Sequence, residues 1–240
     1  MTKTVLILGA NSDTAKEAIK LWVAGNYKVI AASRNTTELS EFAKKHSIPD
    51  SSMNIVYFDA AGFDTHQAFY DSLPAKPNIV LYAAGFLRNN EEAIEDWEGC
   101  FQMMKVHYCG AVSIINIIIR DGQNSGLERI IGLSSLSGVR GRKSNFIYGS
   151  TKSAFTQYLA GLRQYLFERN IKVNVIVAGY IRSKMTAGLN LTESLMLEPA
   201  YIANAIVGVG NGFTVVPGLK WKLIYRILKV LPEGLVAKLP

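Results

Sequence analysis

Six short runs rich in apolar and β-branched residues are separated by five longer stretches of helical periodicity. The runs are Thr4–Gly9, Lys28–Ala32, Asn54–Phe58, Ile79–Ala83, Arg129–Leu133 and Lys172–Val177. The helical stretches are Thr14–Ala24, Thr36–His46, Ala60–Leu73, Glu91–Arg120 and Ile147–Asn170. A run such as Val5-Leu6-Ile7-Leu8 has no polar face, so a strand made from it must be covered on both sides. Strict strand–helix alternation supplies that cover through right-handed crossovers, and the pattern predicts an α/β fold with a doubly wound parallel sheet. At 240 residues there is room for one sizeable core, and no linker interrupts the chain. We expect one domain, its body over 1–218 and a basic amphipathic tail over 219–240.

Composition narrows the class further. The chain is 49% hydrophobic and 19% charged, ordinary for a globular protein, without low-complexity tracts or repeats. Met1 to Ala10 lead into the first apolar run without the basic start, long apolar region and cleavage site of a signal peptide. No uninterrupted apolar run reaches the ~20 residues of a spanning helix, so a cytoplasmic protein is expected. The run Ile114-Ile115-Asn116-Ile117-Ile118-Ile119 fits a helix buried at the sheet or at a subunit contact. Cys100 and Cys109 match no metal spacing and are expected to pack in the core. Neither a metal nor a nucleic acid is expected, since no motif for either is present. Of the net charge of +7, +4 lies beyond Phe213, where Lys220, Lys222, Arg226, Lys229 and Lys238 face Glu233 alone. A surplus gathered at one end suits an anionic surface or ligand.

The first run ends in Gly9-Ala10-Asn11-Ser12-Asp13-Thr14-Ala15, and a helix follows at once. A Rossmann-type fold places its phosphate-binding turn here. Backbone N–H groups at the helix N-terminus attract a pyrophosphate, and small residues let it come close. Gly9, Asn11, Ser12, Asp13 and Thr14 are therefore candidate cofactor contacts. Only the first glycine of the usual fingerprint is present, and a plain turn capped by Ser12 or Asp13 is the other reading. The second run leads into Ser33-Arg34-Asn35. An acid there would take ribose hydroxyls, whereas Arg34 suits a 2′-phosphate, which favours NADP(H) over NAD(H). Asp59 either accepts from the adenine amino group or caps the helix that begins at Ala60.

Ser135 lies just beyond the fifth run, at the edge where open α/β sheets bind ligands. Tyr148 and Lys152 are four residues apart near the start of a long helix and share a face. A free phenol, with a pKa of ~10, is a poor acid–base catalyst near neutrality. A nearby ammonium stabilises phenolate and brings that value down, while a serine hydroxyl can hold a carbonyl oxygen. With Tyr148-Gly-Ser-Thr-Lys152 thirteen positions after Ser135, the chain resembles the short-chain dehydrogenase/reductases over nearly its whole length. The resemblance implies that Tyr148 protonates the substrate oxygen, Lys152 also binds the nicotinamide ribose, and Ser135 orients the carbonyl. It further implies cofactor contacts from Ala84, Gly85, Gly179, Ile181 and Ser183, and self-association through the two long helices. His107, in His107-Tyr-Cys-Gly110, stands where the family carries a catalytic asparagine. It either joins a proton relay or fills a core or helix-kink role.

A narrower resemblance rests on the Gly9–Ala15 turn with Asp13, the Ser134–Lys152 block, Arg182-Ser183-Lys184-Met185 and the tail ending Lys238-Leu239-Pro240. These are similar to the decaprenylphosphoryl-2-keto-ribose reductases and their bacterial relatives. That implies reduction of a lipid-linked keto-sugar toward cell-envelope polysaccharide. Arg140, Arg142, Lys143 and Arg182 would then form a cationic rim for the substrate phosphate, or else an ordinary solvated surface. In the tail, Lys222, Arg226 and Lys229 make one basic stripe on a helix that is otherwise apolar. It suits either peripheral contact with an anionic membrane or a lid or dimer helix packed on protein.

Overall fold

The structure is a computed structural model that describes residues 2–238; Leu239 and Pro240, the expected end of the tail, lie outside the described residues. In chain order its regular elements are β1 (Thr4–Leu8), α1 (Asp13–Ala24), β2 (Lys28–Ser33), α2 (Thr36–Lys45), β3 (Met53–Tyr57) and α3 (His66–Asp71). There follow β4 (Ile79–Tyr82), α4 (Asn90–Glu95), α5 (Trp97–Met104), α6 (Gly110–Arg120), β5 (Arg129–Ser135) and α7 (Phe146–Tyr165). The chain closes with β6 (Lys172–Ala178), α8 (Pro199–Val207), β7 (Thr214–Val215), α9 (Leu219–Val230) and α10 (Glu233–Val236).

The strands form one parallel sheet in the order β3-β2-β1-β4-β5-β6-β7, so the winding reverses between β1 and β4. This is the Rossmann-type sheet expected from the sequence, with the ligand crevice at the carboxyl ends beside the switch point. Successive side chains of a strand point to opposite faces. Leu6 and Leu8 accordingly join the layer beneath α6 and α7, whereas Val5 and Ile7 join the layer beneath α1, α2 and α8. All five β1 residues are buried, which explains the unbroken apolar spelling of that strand.

Three expectations change. The Ala60–Leu73 helix shrinks to α3, because Gly62 and Thr65 close a turn first, the Thr65 hydroxyl donating to the Gly62 carbonyl at 2.7 Å. The Glu91–Arg120 helix is interrupted at Asp96, whose carboxylate accepts from the Gly99 N–H (3.0 Å) and starts α5 afresh. Between α5 and α6 the helix widens into a π-turn over Lys105–Cys109. The seventh strand is two residues long, too short to show a period in the sequence. The isoleucine run lies on α6, where Ile114, Ile115, Ile118 and Ile119 are buried against the sheet. Trp97–Arg120 has the length and hydropathy of a membrane span, but half of its most apolar window is buried inside the protein.

Candidate active site

The turn after β1 is shaped by a close approach. Gly9 has φ +88°, and a Cβ there would run into the backbone of Ala83 and Ala84 at the end of β4. Among the described residues no side chain caps α1, so its first N–H groups have no acceptor from the Ser12 hydroxyl. Ser12 therefore does not play the capping role, and donors left without a side-chain acceptor are what a pyrophosphate would need. Thr14 is buried in the first turn. The Asn11 side-chain N–H donates to Ser33 Oγ (2.9 Å) and to the Asn35 carbonyl (2.7 Å), while Asn11 Oδ1 is buried with no partner. Arg34 is exposed beside them and makes no ion pair among the described residues. An uncapped helix, a buried acceptor without a donor and a free guanidinium together suit a phosphorylated dinucleotide.

Two expected cofactor contacts are otherwise engaged. The Asp13 carboxylate, which would repel a phosphate, accepts the Lys184 N–H at 2.7 Å. The Lys184 ammonium pairs in turn with Glu38, which also holds Lys16 at 2.7 Å, so the loop after β6 is strapped across to α1 and α2. Asp59 Oδ1 accepts the Ala61 N–H at 3.0 Å within a turn, and it caps no helix, since α3 begins only at His66. On the far side, Gly179, Ile181 and Ser183 follow β6, and the bridge between Ile181 and Leu197 holds their loop in place.

Tyr148 and Lys152 lie on the buried face of α7, and Ser135 ends β5. Ser134 pins that strand to the helix through Thr156 Oγ1 at 2.8 Å. Burial pushes the Tyr148 phenol up to about 12, against the pull of the Ser135 hydroxyl. Burial also brings Lys152 down to about 8. Lys152 does not lower the phenol as expected: its Nζ lies 5.7 Å from the Tyr148 ring centroid, and burial raises the phenol with only Ser135 pulling it down. The resting site therefore holds a neutral phenol beside an amine that titrates in reach of physiological pH.

His107 is fully buried inside the π-turn. The Phe86 N–H donates to its Nε2 at 3.0 Å, and a backbone N–H can only donate, so Nε2 carries no proton. The proton sits on Nδ1 and is given to Thr151 Oγ1 at 2.8 Å, while the Thr151 hydroxyl donates to the Tyr148 carbonyl at 2.7 Å. Burial first, and Lys152 second, hold the imidazole well below its usual pKa, so it stays neutral. A Cβ on Gly85 would lie 3.1 Å from His107 Nε2 and 3.3 Å from Lys152 Nζ, which places the Ala84–Gly85 loop against both.

The sequence profile of the short chain dehydrogenases matches residues 3–194. The chain belongs to the short-chain dehydrogenase family. It is accordingly an oxidoreductase that works with NAD(H) or NADP(H). An uncharacterized oxidoreductase of Mycobacterium tuberculosis is 25% identical to it over 243 residues, spanning 98% of this chain and 96% of its own. A short-chain dehydrogenase from Burkholderia cenocepacia, solved in complex with NADP, superposes with a TM-score of 0.85 at 18% identity, over 100% of this chain and 98% of that one. A 7β-hydroxysteroid dehydrogenase does so at 0.82 and 19%, over 95% and 92%.

Within this short-chain dehydrogenase the expected cationic rim divides. Arg140 is taken up entirely by the tail: its Nε donates to the Leu228 carbonyl (2.8 Å), its Nη2 to Lys229 and Leu231 carbonyls (3.3 Å each), and its Nη1 pairs with Glu233. Arg182 is held by Glu193 (2.7 Å) and Glu198 (2.9 Å). Arg142 and Lys143 form no ion pair among the described residues; Arg142 Nε and Asn145 Oδ1 are buried and unpartnered, and both side chains reach Ser137 Oγ. Thr151, Phe86 and Asn145 escaped the sequence reading. Thr151 alone carried a signal, its place one turn after Tyr148.

Proposed function

We propose that this enzyme uses NADPH to reduce a ketone, and that the ketone is a keto-sugar on a polyprenyl phosphate, made for cell-envelope polysaccharide. The observation that carries the reductase reading is the grouping of Ser135, Tyr148 and Lys152 at the carboxyl edge, next to the uncapped start of α1. When bound, the nicotinamide supplies the hydride to the carbonyl carbon. Tyr148, a phenol at rest, gives its proton to the carbonyl oxygen. The Lys152 ammonium stabilises the phenolate that this leaves, and the Ser135 hydroxyl holds the oxygen in line. His107 acts as a positioning residue that spaces the Phe86 loop from α7, since both nitrogens of its neutral ring are already hydrogen-bonded, Nε2 to the Phe86 N–H and Nδ1–H to Thr151.

NADP(H) is favoured over NAD(H) because the end of β2 offers the free Arg34 and no acid. The structural neighbour from Burkholderia holds NADP, in keeping with this. For the phosphate of the substrate, the support is Arg142, with a buried N–H awaiting an acceptor, and the exposed Lys143. Such a substrate is met at the inner face of the membrane, where we place the enzyme. Exposed Trp97 and Phe101 on α5, with Tyr165 and Phe167 at the end of α7, support self-association.

The test is cofactor oxidation by the pure protein with a polyprenyl-phosphoryl keto-pentose in detergent, with Tyr148→Phe as control. Turnover that the variant abolishes supports both halves of the reading. Turnover only of a 3-oxoacyl thioester or a steroid ketone retires the sugar, and cofactor binding without turnover of any ketone points to an inactive nucleotide-binding scaffold.

A further inference from the structure

The tail has two different faces. Trp221, Ile224, Tyr225 and Leu228 point inward and pack on the sheet layer of α6 and α7, Trp221 and Leu228 being 4% and 6% exposed. A helix that packs this way is expected to be polar on its other side. Here the other side carries Leu219, Leu223, Ile227 and Val230, exposed by 81%, 60%, 47% and 80%, and Leu235 of α10 is exposed as well, by 53%. Lys222, Arg226 and Lys229 line one edge of this apolar strip, are exposed, and form no ion pair among the described residues. The one acid in the sequence of the tail, Glu233, is spent on Arg140.

We infer that the outer face of α9 is the surface by which this protein rests on an anionic lipid bilayer, an inference that rests on the lipid-linked substrate proposed above. An apolar strip edged by a row of cations matches the boundary between acyl chains and anionic headgroups. A second copy of the chain is the weaker occupant. A twofold contact would bring Lys222, Arg226 and Lys229 near their own counterparts, with no free acid to balance them.

The helix is also tied to the reduction site. Arg140, five residues past Ser135, caps the C-terminal carbonyls of α9. At the other end, Trp221 Nε1 donates to the Leu195 carbonyl at 2.8 Å, and its ring lies directly over Gly179, so that a Cβ there would collide with it. Docking through α9 therefore holds the loops after β5 and β6 close to the membrane, where the headgroup of a lipid-borne sugar stands.

Sedimentation of the full chain with vesicles tests this. Vesicles of phosphatidylglycerol and phosphatidylcholine are expected to carry the protein down at low salt, and pure phosphatidylcholine vesicles are not. Leu223→Ser with Ile227→Ser, and separately Lys222→Gln with Arg226→Gln and Lys229→Gln, are each expected to weaken partitioning about a hundredfold. All these positions are exposed, so NADPH binding and the thermal midpoint should stay as in the wild type, which keeps misfolding out of the result. Absence of binding to the anionic vesicles, or binding that neither variant weakens, overturns the inference. So does a dimer in solution that the Leu223 and Ile227 changes dissociate. Turnover of the keto-sugar in detergent involves no bilayer. Its failure removes the substrate reading and leaves the vesicle result to stand or fall by itself.

Discussion

The phenol and the amine of the site are set by the same force in opposite directions, because burial penalises phenolate and ammonium alike. Reduction needs Tyr148 protonated and Lys152 charged. With the phenol near 12, the first requirement holds over the working range. With the amine near 8, the second is lost as pH rises through that value. The reduction rate is thus expected to fall above pH ~8, which a pH–rate profile at saturating NADPH will show; a profile flat to pH 10 would remove the lysine charge from the mechanism. Tyr148→Phe should lower kcat about a thousandfold with cofactor affinity retained. His107→Asn keeps a donor for Thr151 and should leave most of kcat, whereas His107→Leu strands the Phe86 N–H and should cost about 2 kcal/mol of stability. If the asparagine variant proves as inactive as Tyr148→Phe, the positioning role is wrong and the imidazole carries protons.

Packing is tight where Trp221 of α9 lies on Gly179, just past β6. Gly179→Ala should cost about 2 kcal/mol by overpacking, and Trp221→Ala about 4 kcal/mol by the cavity it leaves. Because the two residues share one contact, the alanine at 179 should cost little once the indole is gone, and a denaturation cycle over the four proteins will measure that coupling. Elements were legible in the sequence to differing degrees, for physical reasons. β1 and the start of α1 were plain because period and turn chemistry are local. Tyr148 and Lys152 were plain because one helical turn brings them together. The π-turn was not, since a bond it makes is distant in sequence: the Tyr82 hydroxyl, on β4, donates to the Val106 carbonyl at 2.5 Å. Arg140 reads in the sequence as a phosphate ligand or a solvated surface group, because its actual partners lie 88 and more positions away. The two faces of α9 were merged into one broad apolar remainder, since periodicity cannot say which half a sheet will cover.

For the whole molecule, the site is a standing cost. Lys152 is 5% exposed, and its pKa falls from 10.5 in an open chain to about 8 in the fold. Between those values the unfolded chain holds the extra proton, so this group makes stability rise with pH from about 8 to 10.5. Below that window its burial penalty is complete, about 3 kcal/mol. Lys152→Met should therefore raise the unfolding free energy at pH 7 by about that amount while abolishing turnover, as urea denaturation will measure. The parallel sheet supplies the rigidity that bears such a cost, since both of its faces are covered. One further consequence follows from Arg140, whose side-chain partners all belong to the last eleven described residues. A guanidinium there has no purpose in a chain that stops at β7. Descent should therefore have kept the two together: relatives that inherited the terminal helix should retain the arginine, and those that lost the helix should let that position drift.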